Sequence, residues 1–170
     1  MKKIFFITTI ISICISVQAQ NLKYVPTPQL DKFVGTWVYN DNGKKVVIVL
    51  KKIKVDLKDI STEEMEGYHS FTIDNKPIEN SIENNVPSLT RGSNFFNSDI
   101  KNLNQITILV ADPAKKKSGL AKLTFPSGKS DELQWSLRDS REGMILHKPN
   151  EPRYDRTFTL PTSMILKRGN

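Results

Sequence analysis

His69 and His147 are the only imidazoles in this 170-residue chain, and imidazole is the side chain best suited to moving protons near neutral pH. His69 sits in an alternating run that puts it on one face with Met65, Phe71 and Ile73. The opposite face carries Glu64, Glu66, Tyr68, Ser70 and Thr72. A histidine on the inner face of a barrel is either hydrogen-bonded to a neighbour or turned toward a ligand cavity. A Ser–His–acid triad would require a serine on a sharp turn within reach of the ring, and no Gly-x-Ser-x-Gly run occurs. Two histidines so far apart in sequence do not make a metal-binding pattern.

The remaining chemistry-bearing groups fit simpler roles. Glu63-Glu64, Asp131-Glu132 and the pair Asp139 and Glu142 are the carboxylate clusters. Glycoside cleavage needs two carboxylates facing across a cleft; no spacing here implies that, so these read as solvated turns. Gly128-Lys129-Ser130 resembles the end of a phosphate-binding loop. Leu123 stands where the first glycine belongs, and a strand pattern follows where a helix is needed, so the run reads as a hairpin turn. Lys115-Lys116-Lys117 lacks the interleaved aromatics of single-strand binders, which argues against a nucleic-acid partner. Cys14 is the only cysteine and falls in the N-terminal apolar run. The rest of the chain therefore has no thiol nucleophile, disulfide or thiolate zinc site. No cofactor or metal ligand set emerges, and no catalytic residue is assigned.

Positioning elements come next. The alternation Leu133, Trp135, Leu137 against Glu132, Gln134, Ser136, Arg138 is the clearest strand. Ile106, Ile108 and Val110 share a face, as do Ala121, Leu123 and Phe125. Asp41-Asn42-Gly43-Lys44 is a hairpin signal, because Asn-Gly readily supplies the positive φ angles of tight turns. It joins a strand at Thr36–Asn40 to one at Lys45–Val55. Residues 56–64 read as a polar loop, 66–73 as a strand, 78–82 as a short strand and 83–101 as a long loop, with one weak strand near Ser88–Gly92, suited to a pocket lid. Further strands are expected at 105–111, 120–125, 130–138, 143–147 and 162–167. No sustained i, i+3, i+4 apolar stripe occurs, so long helices are not expected. Eight to ten short strands separated by turn signals predict an all-β domain. A single antiparallel barrel is the first choice and a flattened β-sandwich the alternative.

The first 19 residues read as an export signal. Lys2 and Lys3 precede the apolar run Ile4–Val17, and Val17-Gln18-Ala19 predicts cleavage after Ala19. The run is too short to span a bilayer, which takes about 20 apolar residues. Ile13 before Cys14 argues against lipid anchoring, where a small residue is needed. An extended lead-in at 20–32, carrying Pro26 and Pro28, then precedes a barrel domain at 33–170. Net charge is +7; losing Lys2 and Lys3 leaves 23 basic against 18 acidic residues, or +5. That mild excess suits a solvated surface with protected strand edges.

The opening Phe33-x-Gly35-x-Trp37 resembles the Gly-x-Trp motif of lipocalins and related calycin barrels. The resemblance implies that Trp37 lies at the barrel floor, beside Gly35, with a late basic residue packed over it. Arg168 or Lys167 is the candidate, and Arg138 is second. The family's Thr-Asp-Tyr segment, disulfides and C-terminal helix have no counterpart here. The whole chain also resembles an uncharacterised family of small exported proteins from Gram-negative gliding-type bacteria. That likeness rests on Gln18-Ala19-Gln20, Phe33-Val34-Gly35-Thr36-Trp37, Leu50-Lys51-Lys52-Ile53, Gly67-Tyr68 and the tail from Leu160 to Lys167. It implies export and a β-rich fold, and carries no catalytic residues.

The functional expectation is an exported, periplasmic or secreted, non-enzymatic binding protein. It would hold a small apolar molecule inside the barrel near His69, Phe71, Trp135 and Leu137. The alternatives are a solid-cored interaction module for a component of the cell envelope and, third, a hydrolase.

Overall fold

The computed structural model describes residues 22–91, 104–140 and 155–169. The expected export segment, the 143–147 strand and residues 92–101 of the expected lid lie outside that range. The described elements are β1 (Lys23–Val25), a 3-10 turn (Pro28–Phe33), β2 (Gly35–Asp41), β3 (Lys44–Asp56), β4 (Ile60–Ile73), β5 (Lys76–Asn80), β6 (Leu89–Arg91), β7 (Gln105–Asp112), β8 (Lys117–Thr124), β9 (Glu132–Asp139) and β10 (Ser163–Arg168). No helix among the described residues is long and apolar enough to cross a membrane.

Eight strands close into an antiparallel barrel in the order β4-β3-β2-β10-β9-β8-β7-β6. Closure is made by β6, which pairs with β7 on one side and returns to β4 on the other, Leu89 facing Gly67 and Arg91 facing Met65. That pairing makes a barrel rather than a flattened sandwich. β1 and β5 lie outside the ring, both on β4, and β1 is parallel to it. The free edge of β4 is thus used three times, by β1, β6 and β5 in turn. An exposed row of unpaired amides and carbonyls would otherwise invite another chain.

Period-2 alternation sends one face of each strand inward, and pairing carries that face around the barrel. Trp37 faces Ile48, which faces His69. Ile106 faces Leu123, Leu123 faces Trp135, and Trp135 faces Met164. Trp37, Val46, Ile48, Ile108, Ala121, Leu123, Leu133 and Leu166 expose none of their surface, so no water-sized void adjoins them. Each buried Leu- or Ile-sized side chain stabilises the fold by about 1.5–3 kcal/mol over exposure. The β2–β3 hairpin turns on Asn42 and Gly43 at φ 49° and 73°, both in the left-handed region that Asn and Gly tolerate best.

Two expectations are corrected. The polar stretch 56–64 is not a loop: the chain turns within three residues and β4 begins at Ile60. Glu63 and Glu64 stand opposite Lys54 and Ile53 of β3, and cross-strand charge pairing is compatible with a strand. The short strand expected at 78–82 starts two residues earlier, at Lys76, directly after a turn in which Asp74 and Asn75 both have positive φ.

Candidate functional site

The two ends of the barrel differ in chemistry. At one end the 3-10 turn buries Leu30 and Phe33 under the strands. Trp37 lies fully buried against them and donates its indole N–H to the Phe33 carbonyl at 2.8 Å. Phe125 packs against both rings, tilted to Phe33 with centroids 4.9 Å apart and edge-on to Trp37 with centroids 5.7 Å apart. The β10–β2 register places Arg168 across from Trp37. Its guanidinium lies 4.3 Å over the Trp37 ring and donates to the carbonyls of Val34 (3.0 Å) and Lys32 (2.7 Å). Gly35 has φ +131°, and a Cβ there would stand 2.9 Å from Arg168 Nη1. The Trp37 indole and the Arg168 guanidinium are both turned back onto backbone carbonyls of residues 32–34, as a structural floor requires.

The opposite end holds a polar cluster in an apolar wall. His69 is 1% exposed and shares its face with Met65 and Phe71. Its Nδ1 lies 2.7 Å from Ser88 Oγ and its Nε2 lies 2.9 Å from Glu79 Oε2. Ser88 Oγ is in turn 2.8 Å from Ser81 Oγ. Ser81 Oγ also accepts the His69 backbone N–H at 2.7 Å. With Glu79 ionised, its oxygens only accept, so Nε2 carries the ring proton. In the neutral ring Nδ1 is then the acceptor, and the Ser88 hydroxyl donates to it. The order Ser88, His69, Glu79 is that of hydroxyl, base and orienting acid. Glu79 Oε1 is buried and has no hydrogen-bond partner among the described residues.

Local geometry explains how Glu79 gets there. Beyond the Asp74-Asn75 turn, Ile73 pairs with Lys76 and Thr72 with Pro77. The register then shifts, and Phe71 faces Glu79. Ile78 is the extra residue of a β-bulge, which re-aims the side chains that follow it. Without the bulge Ile78 would share the inward face of Phe71 and Glu79 would point to solvent. With it, Ile78 is 47% exposed and the carboxylate reaches the imidazole. Ser88 is held by the closing strand: its N–H donates to the Gly67 carbonyl, and its carbonyl accepts from the Ala111 N–H.

The cluster borders a half-open cleft of about 550 Å³ whose apolar wall includes Ile78, Val86, Pro87, Ala111 and Pro113. Val86 is 59% exposed. Pockets that hold small molecules have this make-up, apolar walls with a few placed polar groups, and about this size. Of the residues expected near a ligand, His69 lines the cleft. Phe71, Trp135 and Leu137 are buried in the core, with Trp135 donating its indole N–H to the Pro161 carbonyl at 3.0 Å. Sequence reading missed Glu79, Ser81 and Ser88. The dense polar spacing in 79–88 was the available signal, but the bulge that selects Glu79 has no sequence mark of its own. Among the described residues no group of three His, Cys, Asp or Glu side chains is placed to hold a metal ion.

No curated protein and no solved structure matches the chain. Over residues 1–168 it matches the profile of a family of unknown function (DUF6705). Since that match spans all but the last two residues, the chain belongs to that family.

Proposed function

We propose that this protein is an exported binding protein and that its ligand sits in the cleft above His69. The ligand is a small, mainly apolar molecule carrying one hydrogen-bonding group. The observation that carries this is the cleft itself, apolar on its sides with a buried imidazole–carboxylate–hydroxyl cluster at its base. A purely structural barrel end could be closed with apolar side chains, as the interior is. Burying His69 and Glu79 instead is costly unless each is matched. Phe71, Trp135 and Leu137 belong to the core and are not among the residues that line the cleft.

Native mass spectrometry of the protein purified from its own host tests both halves of the reading. Export gives a chain beginning at Gln20. Binding gives an added mass that disappears on denaturation, and that is weakened by Val86→Asp, which puts a charge on the cleft wall. Full-length chain in the cytosol would refute export. A bare chain that also fails to take up the apolar dye N-phenyl-1-naphthylamine would refute binding.

A further inference from the structure

We propose that Ser88 is a nucleophile and that the cleft cleaves small carboxylic esters with apolar acyl groups. The proposal rests on the binding reading, because the ester must occupy the same cleft. Three residues from three separate segments converge: Glu79 from the bulged strand β5, His69 from the middle of β4, and Ser88 from the residue that precedes β6. The two contacts that matter, 2.7 Å from Ser88 Oγ to His69 Nδ1 and 2.9 Å from His69 Nε2 to Glu79 Oε2, are both hydrogen bonds. The base therefore touches the hydroxyl with one nitrogen and its orienting carboxylate with the other. Both nitrogens of imidazole can serve as the base, so taking the proton on Nδ1 leaves the chemistry intact. The two partners satisfy both ring nitrogens of the buried imidazole, and their identities, a hydroxyl on one side and a carboxylate on the other, are those a nucleophile and its base require.

The reaction balances with ester and water alone. Ser88 Oγ bonds to the ester carbonyl carbon while its proton moves to His69 Nδ1, and the carbonyl electron pair moves to oxygen. Collapse of that adduct breaks the bond to the alkoxy oxygen, which takes the proton from Nδ1 and leaves as the alcohol. Water then attacks the acyl carbon, gives its proton to Nδ1, and the carboxylic acid departs as Ser88 recovers its hydrogen. Glu79 is a positioning residue, holding the imidazole and balancing the charge on it. The Ser81 hydroxyl lies 2.8 Å from Ser88 Oγ and 3.1 Å from the His69 carbonyl oxygen, and it holds the Ser88 side chain beside the imidazole. The aliphatic wall suits an apolar acyl group.

The test uses a fluorophosphonate probe and p-nitrophenyl butyrate on the full chain. The expected result is a single covalent adduct, mapped to Ser88, with labelling that slows on acidification because a protonated imidazole accepts no proton. Ser88→Ala abolishes label and turnover. Glu79→Gln, isosteric and expected to fold, slows labelling roughly 10²–10⁴-fold and shifts the pH profile, and Glu79→Asp restores part of the rate. No adduct, an adduct elsewhere, or an adduct indifferent to Glu79→Gln overturns the proposal. If the unlabelled protein still takes up N-phenyl-1-naphthylamine, binding survives and only the nucleophile falls. If it does not, both readings fall.

Discussion

The barrel floor allows a double-mutant experiment whose outcome follows from one short distance. Arg168 donates to the Lys32 and Val34 carbonyls and covers the Trp37 ring. On a solvent-facing guanidinium each of those hydrogen bonds contributes about 1 kcal/mol, and the ring contact about 0.5–1 kcal/mol. Arg168→Ala should therefore destabilise by about 2–3 kcal/mol. At about 2–4 °C per kcal/mol for a domain of this size, Tm falls by about 5–10 °C. Gly35→Ala acts twice. It forces an L-residue to φ +131°, at about 1–3 kcal/mol, and its Cβ takes the space beside Arg168 Nη1, breaking the bond to Val34. In the double variant that bond is already gone, so only the backbone strain remains. The two effects should fall short of their sum by about 1 kcal/mol. Urea titrations of the four proteins, followed by the fluorescence of Trp37 and Trp135, measure this directly. Strict additivity, or an Arg168→Ala protein within about 0.5 kcal/mol of wild type, would refute the account of the floor.

Glu63 sets a pH dependence. Lys52, then the Tyr24 hydroxyl and the Thr27 N–H hold its carboxyl at about 2, below its ordinary 4.5. A carboxyl depressed in the folded state stabilises above its unfolded value and loses that contribution as pH falls through its folded value. Wild type should therefore lose its advantage over Glu63→Gln between about pH 4.5 and pH 2; urea midpoints that differ equally at neutral pH and at pH 2 would contradict this. Leu123→Ala removes a fully buried side chain between Ile106 and Trp135 and should destabilise by about 2–5 kcal/mol, read as a drop in Tm. Gly43→Ala puts a Cβ onto the Asp74 carboxyl at φ +73° and should destabilise by about 1–3 kcal/mol, while an Asn at the same position, which tolerates positive φ better, should lose less.

Alternation alone decided the fold class. Leu133, Trp135 and Leu137 point one way because successive side chains in a strand must, and Asn42-Gly43 marks a hairpin because few other pairs take two positive φ angles easily. Those are local facts, carried by neighbours in the chain, and they sufficed for an all-β domain with a barrel as first choice; the choice between barrel and sandwich was made by β6 pairing with both β7 and β4. Glu63 and Glu64 misled for the same reason: their polarity looked like a loop when the lysine-bearing strand opposite them was not yet in view. Register is not local. Arg168 rather than Lys167 stands across from Trp37 because of how β10 meets β2, and no property of either residue announces it. The candidate site is the strongest case. Glu79, Ser81 and Ser88 lie 10, 12 and 19 positions from His69. They meet it only because β6 closes the barrel on β4 and because one extra residue in β5 turns a carboxylate inward. His69 could be read from the sequence as an inward imidazole; what it touches depended on chain closure and a bulge, which long-range pairing selects and local preference does not.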